Sequence, residues 1–113
     1  MLELSKAANV EIAKLVHAEE VAFRIRNRRN KQLGFWAASQ LDLAGDARKY
    51  ANAIVAFGLA TPDDESLIRH IHADLSHRGV RIPEAAIRYE LERQAALAER
   101  ECTLLQPSRS VTH

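Results

Sequence analysis

Apolar residues recur at intervals of three and four along four stretches of the chain, and no stretch alternates apolar and polar residues as a half-buried strand would. The pattern therefore predicts an all-α fold with a four-helix arrangement. Short connections between amphipathic helices favour antiparallel neighbours, so the helices are expected to form a bundle over residues 21–106. A disordered tail is expected over residues 107–113, because Pro107 must end the last helix.

The first predicted helix is the longest, beginning near Ser5 or Ala8 and ending near Leu43. Helical spacing places an inward seam on it, made of Val16, Phe23, Asn30, Ala37 and Leu41. Gly34 lies beside this seam, where glycine costs about 1 kcal/mol relative to alanine, so we expect a close helix crossing there. An amide in an apolar seam needs a partner, so Asn30 is expected to bond a backbone group of a neighbouring helix.

The other three helices are predicted from start and stop signals. The second runs from Asp46 to Phe57 and ends at Gly58. Thr61 as N-cap and Pro62 at the first helical position begin the third, which ends at Arg78 with Gly79 following. Pro83 begins the fourth, whose inward stripe includes Ile87, Leu91, Ala95, Ala98, Cys102 and Leu105. Asp63, Asp64 and Glu65 are attributed to the helix dipole, which favours negative charge in the first turn.

Residues 1–20 contain few large apolar groups, namely Leu2, Leu4, Ile12, Leu15 and Val16. Such a segment has little to bury by itself. We therefore expect the N-terminal end of the first helix to be mobile in the free protein and to become ordered against a partner.

The composition of the chain limits the classes of function that it can have. With 113 residues and a net charge of +1, the chain is expected to form one domain and not to bind nucleic acid, for which a strongly basic domain is typical. No apolar run suits a membrane span and Cys102 has no disulfide partner, so a cytoplasmic protein is expected. The spacing of His70, His72 and His77 does not suit a metal ion, and no Gly-rich phosphate loop is present, so no enzyme is predicted.

A basic face is the strongest candidate for chemistry, because residues 23–38 hold five basic side chains and no acidic one. Arg24, Arg28 and Lys31 lie within about 60° on the helical wheel, and Phe35 falls in the same sector. This patch is either a docking site for a protein or an anion, or a solvated face with one exposed aromatic residue. Arg29 is expected to stack on the indole of Trp36.

The same stretch carries a family resemblance. The run Arg28-Arg29-Asn30-Lys31, followed by Leu33-Gly34 and Trp36-Ala37-Ala38, resembles the signature of the zeta subunit family of bacterial F-type ATP synthases. The similarity extends without a register slip over roughly residues 14–92. The block from Arg28 to Ala38 is its specific part, and the later matches are individually weak.

The resemblance implies a regulatory protein that is not an enzyme. In this family a helical N-terminal segment enters the catalytic head of F-type ATP synthase and limits ATP hydrolysis, while the bundle holds it. The implied protein is monomeric when free, does not insert into the membrane and meets it only through ATP synthase. The implied partner-binding residues are Leu4, Glu11, Ile12, Lys14, Leu15 and His17. Nucleotide binding has also been associated with the family, which makes ADP or ATP a candidate ligand of the patch formed by Arg24, Arg28, Lys31 and Phe35.

The N-terminal tip of the predicted first helix, Leu4 to Val10, departs from the family pattern. Members usually carry a Phe followed by an Asp and an Arg/Glu-rich stretch, whereas this chain has Leu4-Ser5-Lys6-Ala7-Ala8-Asn9-Val10. The departure implies weak inhibition. Two alternatives to an inhibitor stay open: a nucleotide- or anion-binding sensor without inhibitory activity, and an adaptor module.

Overall fold

The computed structural model describes the backbone of residues 2–104 and the side chains of residues 6–43 and 45–103. This part of the chain contains four α-helices and no strand, so the predicted all-α, four-helix fold is confirmed. The helices are α1 (Leu2–Gln40), α2 (Ala47–Ala60), α3 (Asp64–His77) and α4 (Glu84–Leu104), with a 3-10 turn at Ala44–Asp46 before α2. Leu105 and the predicted tail lie outside the described residues.

The core forms where α1 packs against α2 and α4, and α3 closes the bundle by contacting the other three helices. Burying a large apolar side chain stabilises the fold by roughly 1.5–3 kcal/mol relative to leaving it exposed, so the buried cluster supplies most of the driving force. Its members are Leu33, Ala37, Leu41, Ile54, Leu67, Ile68, Ile71, Leu75, Ile87 and Leu91.

Gly34 lies at the closest approach of α1 and α2, which confirms the predicted helix crossing. A Cβ atom on Gly34 would lie 2.7 Å from the Cα atom of Ala51 and 3.2 Å from the Cβ atom of Ile54. Gly58 lies inside α2, so the prediction that it ends the helix is wrong. A Cβ atom there would lie 2.3 Å from Nδ2 of Asn30. Both glycines therefore give space to the opposite helix.

The inward seam of α1 is buried along only half of its predicted length. Asn30 is buried, but Phe23 is 54% exposed and Val16 is 49% exposed, so their placement in the core was wrong. The reason is the length of α2. Gly58 near its end lies beside Asn30, and Pro62 in the next connection contacts Arg26, so α1 residues before this point extend past the end of α2.

The boundaries of α1 also differ from the prediction. It begins by Leu2 and ends at Gln40, three residues before the predicted end at Leu43. Asp42 takes a left-handed backbone conformation with φ of 58° and interrupts the helix.

Helix α3 begins at Asp64, with Asp63 as its N-cap, so the prediction of Thr61 in that role was wrong. The carboxylate of Asp63 accepts a hydrogen bond of 2.9 Å from the backbone N–H of Ser66. Hydrogen bonding by the Ser66 side chain, and then by this N–H, lowers the pKa of Asp63. Thr61 instead ends α2, because its N–H donates to the carbonyl oxygen of Phe57. The start signal was real but lay two residues too early.

The end of α3 matches the predicted stop signal to within one residue. The helix ends at His77, and Gly79 takes a φ of 76°, the left-handed conformation that glycine adopts without strain. The N–H of Val80 donates to the carbonyl oxygen of Leu75 at 2.9 Å, which satisfies one of the unpaired acceptors at the helix end.

We expect Gly34→Ala to lower the free energy of unfolding by about 1–3 kcal/mol, because the added methyl group overlaps the α2 backbone. Gly45→Ala is the matched control, since a Cβ atom on Gly45 meets nothing within 4 Å. Urea denaturation of both variants measures the effect. A Gly34→Ala variant as stable as the wild type would contradict the close crossing.

Two ion pairs make stability depend on acid pH. Hydrogen bonds from Arg88 to Glu65 and from Arg28 to Glu101 lower the pKa of each carboxyl below its ordinary value of 4.5. A carboxyl with a lowered folded-state pKa adds stability at pH values above its unfolded-state pKa, and this contribution is lost as pH falls through the folded-state pKa.

We expect the variant Glu65→Gln with Glu101→Gln to have a lower melting temperature than the wild type at pH 7, and the difference to shrink below about pH 4. Glu99→Gln, at an exposed position of α4, is the control. A melting difference that is constant from pH 7 to pH 3 would refute the assignment.

Candidate functional site

The N-terminal half of α1 extends beyond the bundle as a helix with almost every side chain in solvent. All side chains from Lys6 to Glu20 are exposed, and between Val21 and Arg24 only Val21 is partly covered. We call residues 6–24 the projecting segment. At 1.5 Å per residue it is about 28 Å long.

One side of the projecting segment is apolar. Ile12, Leu15, Val16 and Phe23 are 57%, 67%, 49% and 54% exposed, and at 100° per residue they fall within a sector of about 100°. The carboxylate of Glu19 lies in the same sector. We call this side the apolar face. It continues the buried side of α1 past the end of α2, so it is a helix face suited to packing that the bundle leaves uncovered.

The implied partner-binding residues surround the helix and do not share one side. Ile12 and Leu15 belong to the apolar face, with Glu11 at its edge, whereas Lys14 and His17 lie on the opposite side. Leu4 lies in α1, and its side chain is outside the described residues. A partner contacting all of them would have to enclose the helix.

Where the projecting segment meets the bundle, arginines of α1 hold the start of α3. Arg26 donates a hydrogen bond to the carbonyl oxygen of Pro62. Arg29, whose side chain is 11% exposed, donates to the two carboxylate oxygens of Asp64 at 2.9 and 3.3 Å. It also donates from Nε to Oδ1 of Asn30 at 2.9 Å. We call these five residues the junction cluster.

The junction cluster corrects one prediction made from the sequence, since Arg29 pairs with Asp64 and does not stack on Trp36. The buried amide of Asn30 has a partner, as predicted for a polar group in the seam, and the donor to its oxygen is the side chain of Arg29. Asp64 is 35 residues away along the chain, so no local pattern could reveal the pairing. The only signal was the excess of arginine over acidic residues in this part of α1.

The basic face of α1 is only partly free. Arg24 and Lys31 are exposed and have no ion pair among the described residues. Arg28 donates from Nε to the carboxylate of Glu101 at 2.6 Å, which lowers the pKa of Glu101. Phe35 is half-buried instead of standing in solvent. Binding of an anion such as ADP or ATP at this patch stays a prediction. Such an anion would compete with the carboxylate of Glu101 for Arg28.

A second polar cluster links α2 to α3. The hydroxyl of Tyr50 donates to Asp74 at 2.7 Å, and His70 lies 3.5 Å from the same carboxylate and stacks on Phe57. Burial and the bond to Asp74 raise the pKa of Tyr50 well above its ordinary value. Every member therefore serves the contact between the two helices. Among the described residues, no three His, Cys, Asp or Glu side chains are arranged to hold a metal ion.

None of the helices in the described part of the chain combines the length and apolar character needed to cross a membrane. A family model described as ATPase inhibitor subunit zeta matches residues 1–101. No curated protein and no solved structure matches the chain significantly.

We expect Arg29→Gln to lower the free energy of unfolding by about 1–3 kcal/mol, because Asp64 loses its charged donor and the buried Asn30 loses a hydrogen bond. Arg81→Gln is the control, since Arg81 is exposed and its side chain has no hydrogen bond or ion pair among the described residues. Chemical denaturation compares the two. Equal small losses in both variants would show that the junction cluster adds nothing special to stability.

Proposed function

The chain belongs to the ATPase inhibitor subunit zeta family, and from this we propose that it is a non-catalytic regulator that binds the catalytic head of an F-type ATP synthase and limits ATP hydrolysis. The observation that carries the proposal is the uncovered apolar face of the projecting segment. An amphipathic helix with such a face docks into a groove of its partner through residues spaced three and four apart.

The apolar face can contribute a useful part of the binding energy. Its four side chains are about half covered already, so burying the remainder supplies about half of the roughly 1.5–3 kcal/mol per fully buried side chain, or about 3–6 kcal/mol in total, before the cost of association is subtracted. Glu19 lies among them, and burying its carboxylate unpaired would cost several kcal/mol, so the partner groove must offer it a cation or a donor. The proposed groove is therefore apolar with a basic or hydrogen-bonding group near its centre.

The bundle keeps the segment pointed away from itself. The junction cluster fixes α1 where it leaves α2 and α3, so the projecting segment is presented to a partner and not folded back onto the core. This geometry supports a rod-like inhibitor in which the bundle stays outside while the helix enters. The altered tip from Leu4 to Val10 supports inhibition weaker than that of a family-typical tip, because a few residues usually dominate such interfaces.

We expect the double variant Ile12→Asp with Leu15→Asp to lose inhibition of ATP hydrolysis by the purified catalytic head, because two carboxylates would enter the apolar contact. Ala85→Asp with Tyr89→Asp is the matched control, since it adds the same charge at exposed positions of α4 outside the projecting segment, with Tyr89 67% exposed. Circular dichroism checks that both variants keep the bundle. Full inhibition by the double variant, or equal loss in the control, would contradict docking through the apolar face.

A chimera separates binding from inhibition. Replacing residues 1–13 by a family-typical tip should strengthen inhibition by one to several orders of magnitude, because anchors worth about 1–3 kcal/mol each are restored. ATP hydrolysis is assayed beside the natural chain at matched occupancy of the head. Equally strong inhibition by both proteins would show that the altered tip costs nothing.

A further inference from the structure

The side of the bundle opposite α3 is formed by α2, α1 and α4, with α1 in the middle. The contacts of α1 fix its rotation: Gly34 meets α2, Arg28 reaches Glu101 of α4, and Arg29 reaches α3. At 100° per residue, Arg24 and Lys31 fall in the sector that none of these contacts occupies. Both side chains are exposed, in agreement with this placement.

The same reasoning places α4. Glu101 faces α1, and Arg88 faces α3 because it bonds Glu65. Leu97 and Arg100 lie beyond Glu101 on the side away from Arg88, and both are exposed. They therefore point to the side of the molecule opposite α3.

Helix α2 completes this surface. Ala51 meets Gly34 of α1, and Tyr50 faces α3 through its bond to Asp74. Arg48 and Leu59 lie about 160–180° from Tyr50 on the wheel, so they also point away from α3. We call the resulting surface the outer face, and it comprises Arg24, Lys31, Phe35, Arg48, Leu59, Leu97 and Arg100.

The outer face carries an unbalanced charge. Its four cations have no ion pair among the described residues. Two of the acids beside it are engaged: Glu101 pairs with Arg28, and the buried Glu90 is bonded by Arg93 and Gln94. Asp42 is exposed and lies beside Phe35 at the other end of the face. Glu20 is the exposed acid at the projecting end. The whole chain has a net charge of only +1, so this concentration of free cations is local.

We propose that the outer face docks a carboxylate-rich, partly apolar surface of a partner protein. Leu59 and Leu97 are 57% and 37% exposed among the cations, which suits contact with a protein better than with a polyanion alone. Phe35, the aromatic member of the face, is half-buried, so bases would find little to stack on. This inference rests on the proposed function, in which the partner is the catalytic head.

The area of the outer face suits a supporting role in binding the partner. It spans about 20 Å along α1 and about the width of three helices at 8–10 Å spacing, or roughly 500 Å². A standard interface buries about 800 Å² on each partner, so the outer face alone suits a weak contact. Joined to the projecting segment through α1, it raises the effective concentration of that segment at the head.

The test reverses two charges on the outer face and, as a control, two charges elsewhere on the surface. Lys31→Glu with Arg48→Glu is compared with Arg78→Glu and Arg81→Glu, an equal charge change at exposed positions around the connection between α3 and α4. The full-length proteins are titrated onto the purified catalytic head at 50 and 200 mM salt. We expect the outer-face variant to bind at least about tenfold more weakly, with a reduced dependence on salt, and the control variant to bind like the wild type. Equal affinities in both variants would overturn the inference while leaving the proposed function intact.

A second experiment applies if the wild-type chain does not bind the head. That outcome would contradict the proposed function, and the second experiment then tests the outer face by itself. Polyglutamate is titrated into isotopically labelled full-length protein, and amide shifts are followed by NMR. Shifts concentrated at Arg24, Lys31, Arg48 and Arg100, and absent in the outer-face variant, support the inference. Uniform shifts, no shifts, or tighter binding to a DNA oligonucleotide or to anionic phosphatidylserine vesicles than to polyglutamate would overturn it.

Discussion

The close approach of α1 and α2 is the constraint on which the rest of the structure depends. Gly34 lets the backbone of Ala51 come within contact of α1, and Gly58 makes room for the amide of Asn30. Both glycines lie inside helices, where they are intrinsically unfavourable by about 1 kcal/mol each. Tight packing between α1 and α2 offsets this cost, and it fixes both the separation of the two helices and the level at which α2 ends along α1.

That level determines where the bundle stops and the projecting segment begins. Because Gly58 lies beside Asn30, the connection after α2 reaches α1 at Arg26, and α3 begins where Arg29 can bond Asp64. Structure and proposed function meet at this point. Arg26 and Arg29 bond the connection before α3 and its first residue, while Arg24 and Lys31 on the other side of α1 have no ion pair among the described residues. The same basic run thus serves folding on one side of the helix and remains available for recognition on the other.

In the proposed function, the projecting segment and the outer face divide recognition between two kinds of interaction. The apolar face offers burial of side chains, which gives affinity, and the outer face offers charge, which favours association rate and orientation. The single helix α1 carries both surfaces, so a partner that engages one meets the other along the same helix. In this proposal the tip can diverge in sequence while the bundle keeps its own contact.

The sequence by itself determined the helical class, the stop at Gly79 and the special role of Gly34, because each follows from local chemistry: periodicity, a left-handed C-terminal glycine and the cost of glycine inside a helix. The block from Arg28 to Ala38 was also enough to indicate the family, which the match over residues 1–101 bears out. Periodicity also placed Asn30 and Phe23 on the same inward seam, and it could not show that Asn30 is buried while Phe23 is exposed. The two residues have the same helical phase on α1, and only the length of α2 separates them.

Tertiary structure alone decided which member of each charged set is free and which is engaged. Arg24, Arg28 and Arg29 belong to one basic run of the sequence, yet one is exposed, one pairs with Glu101 and one is nearly buried against Asp64. The partners lie 73 and 35 residues away. Helical periodicity gives the direction of a side chain about its own axis, but the neighbour in that direction is set by how the helices are connected and packed.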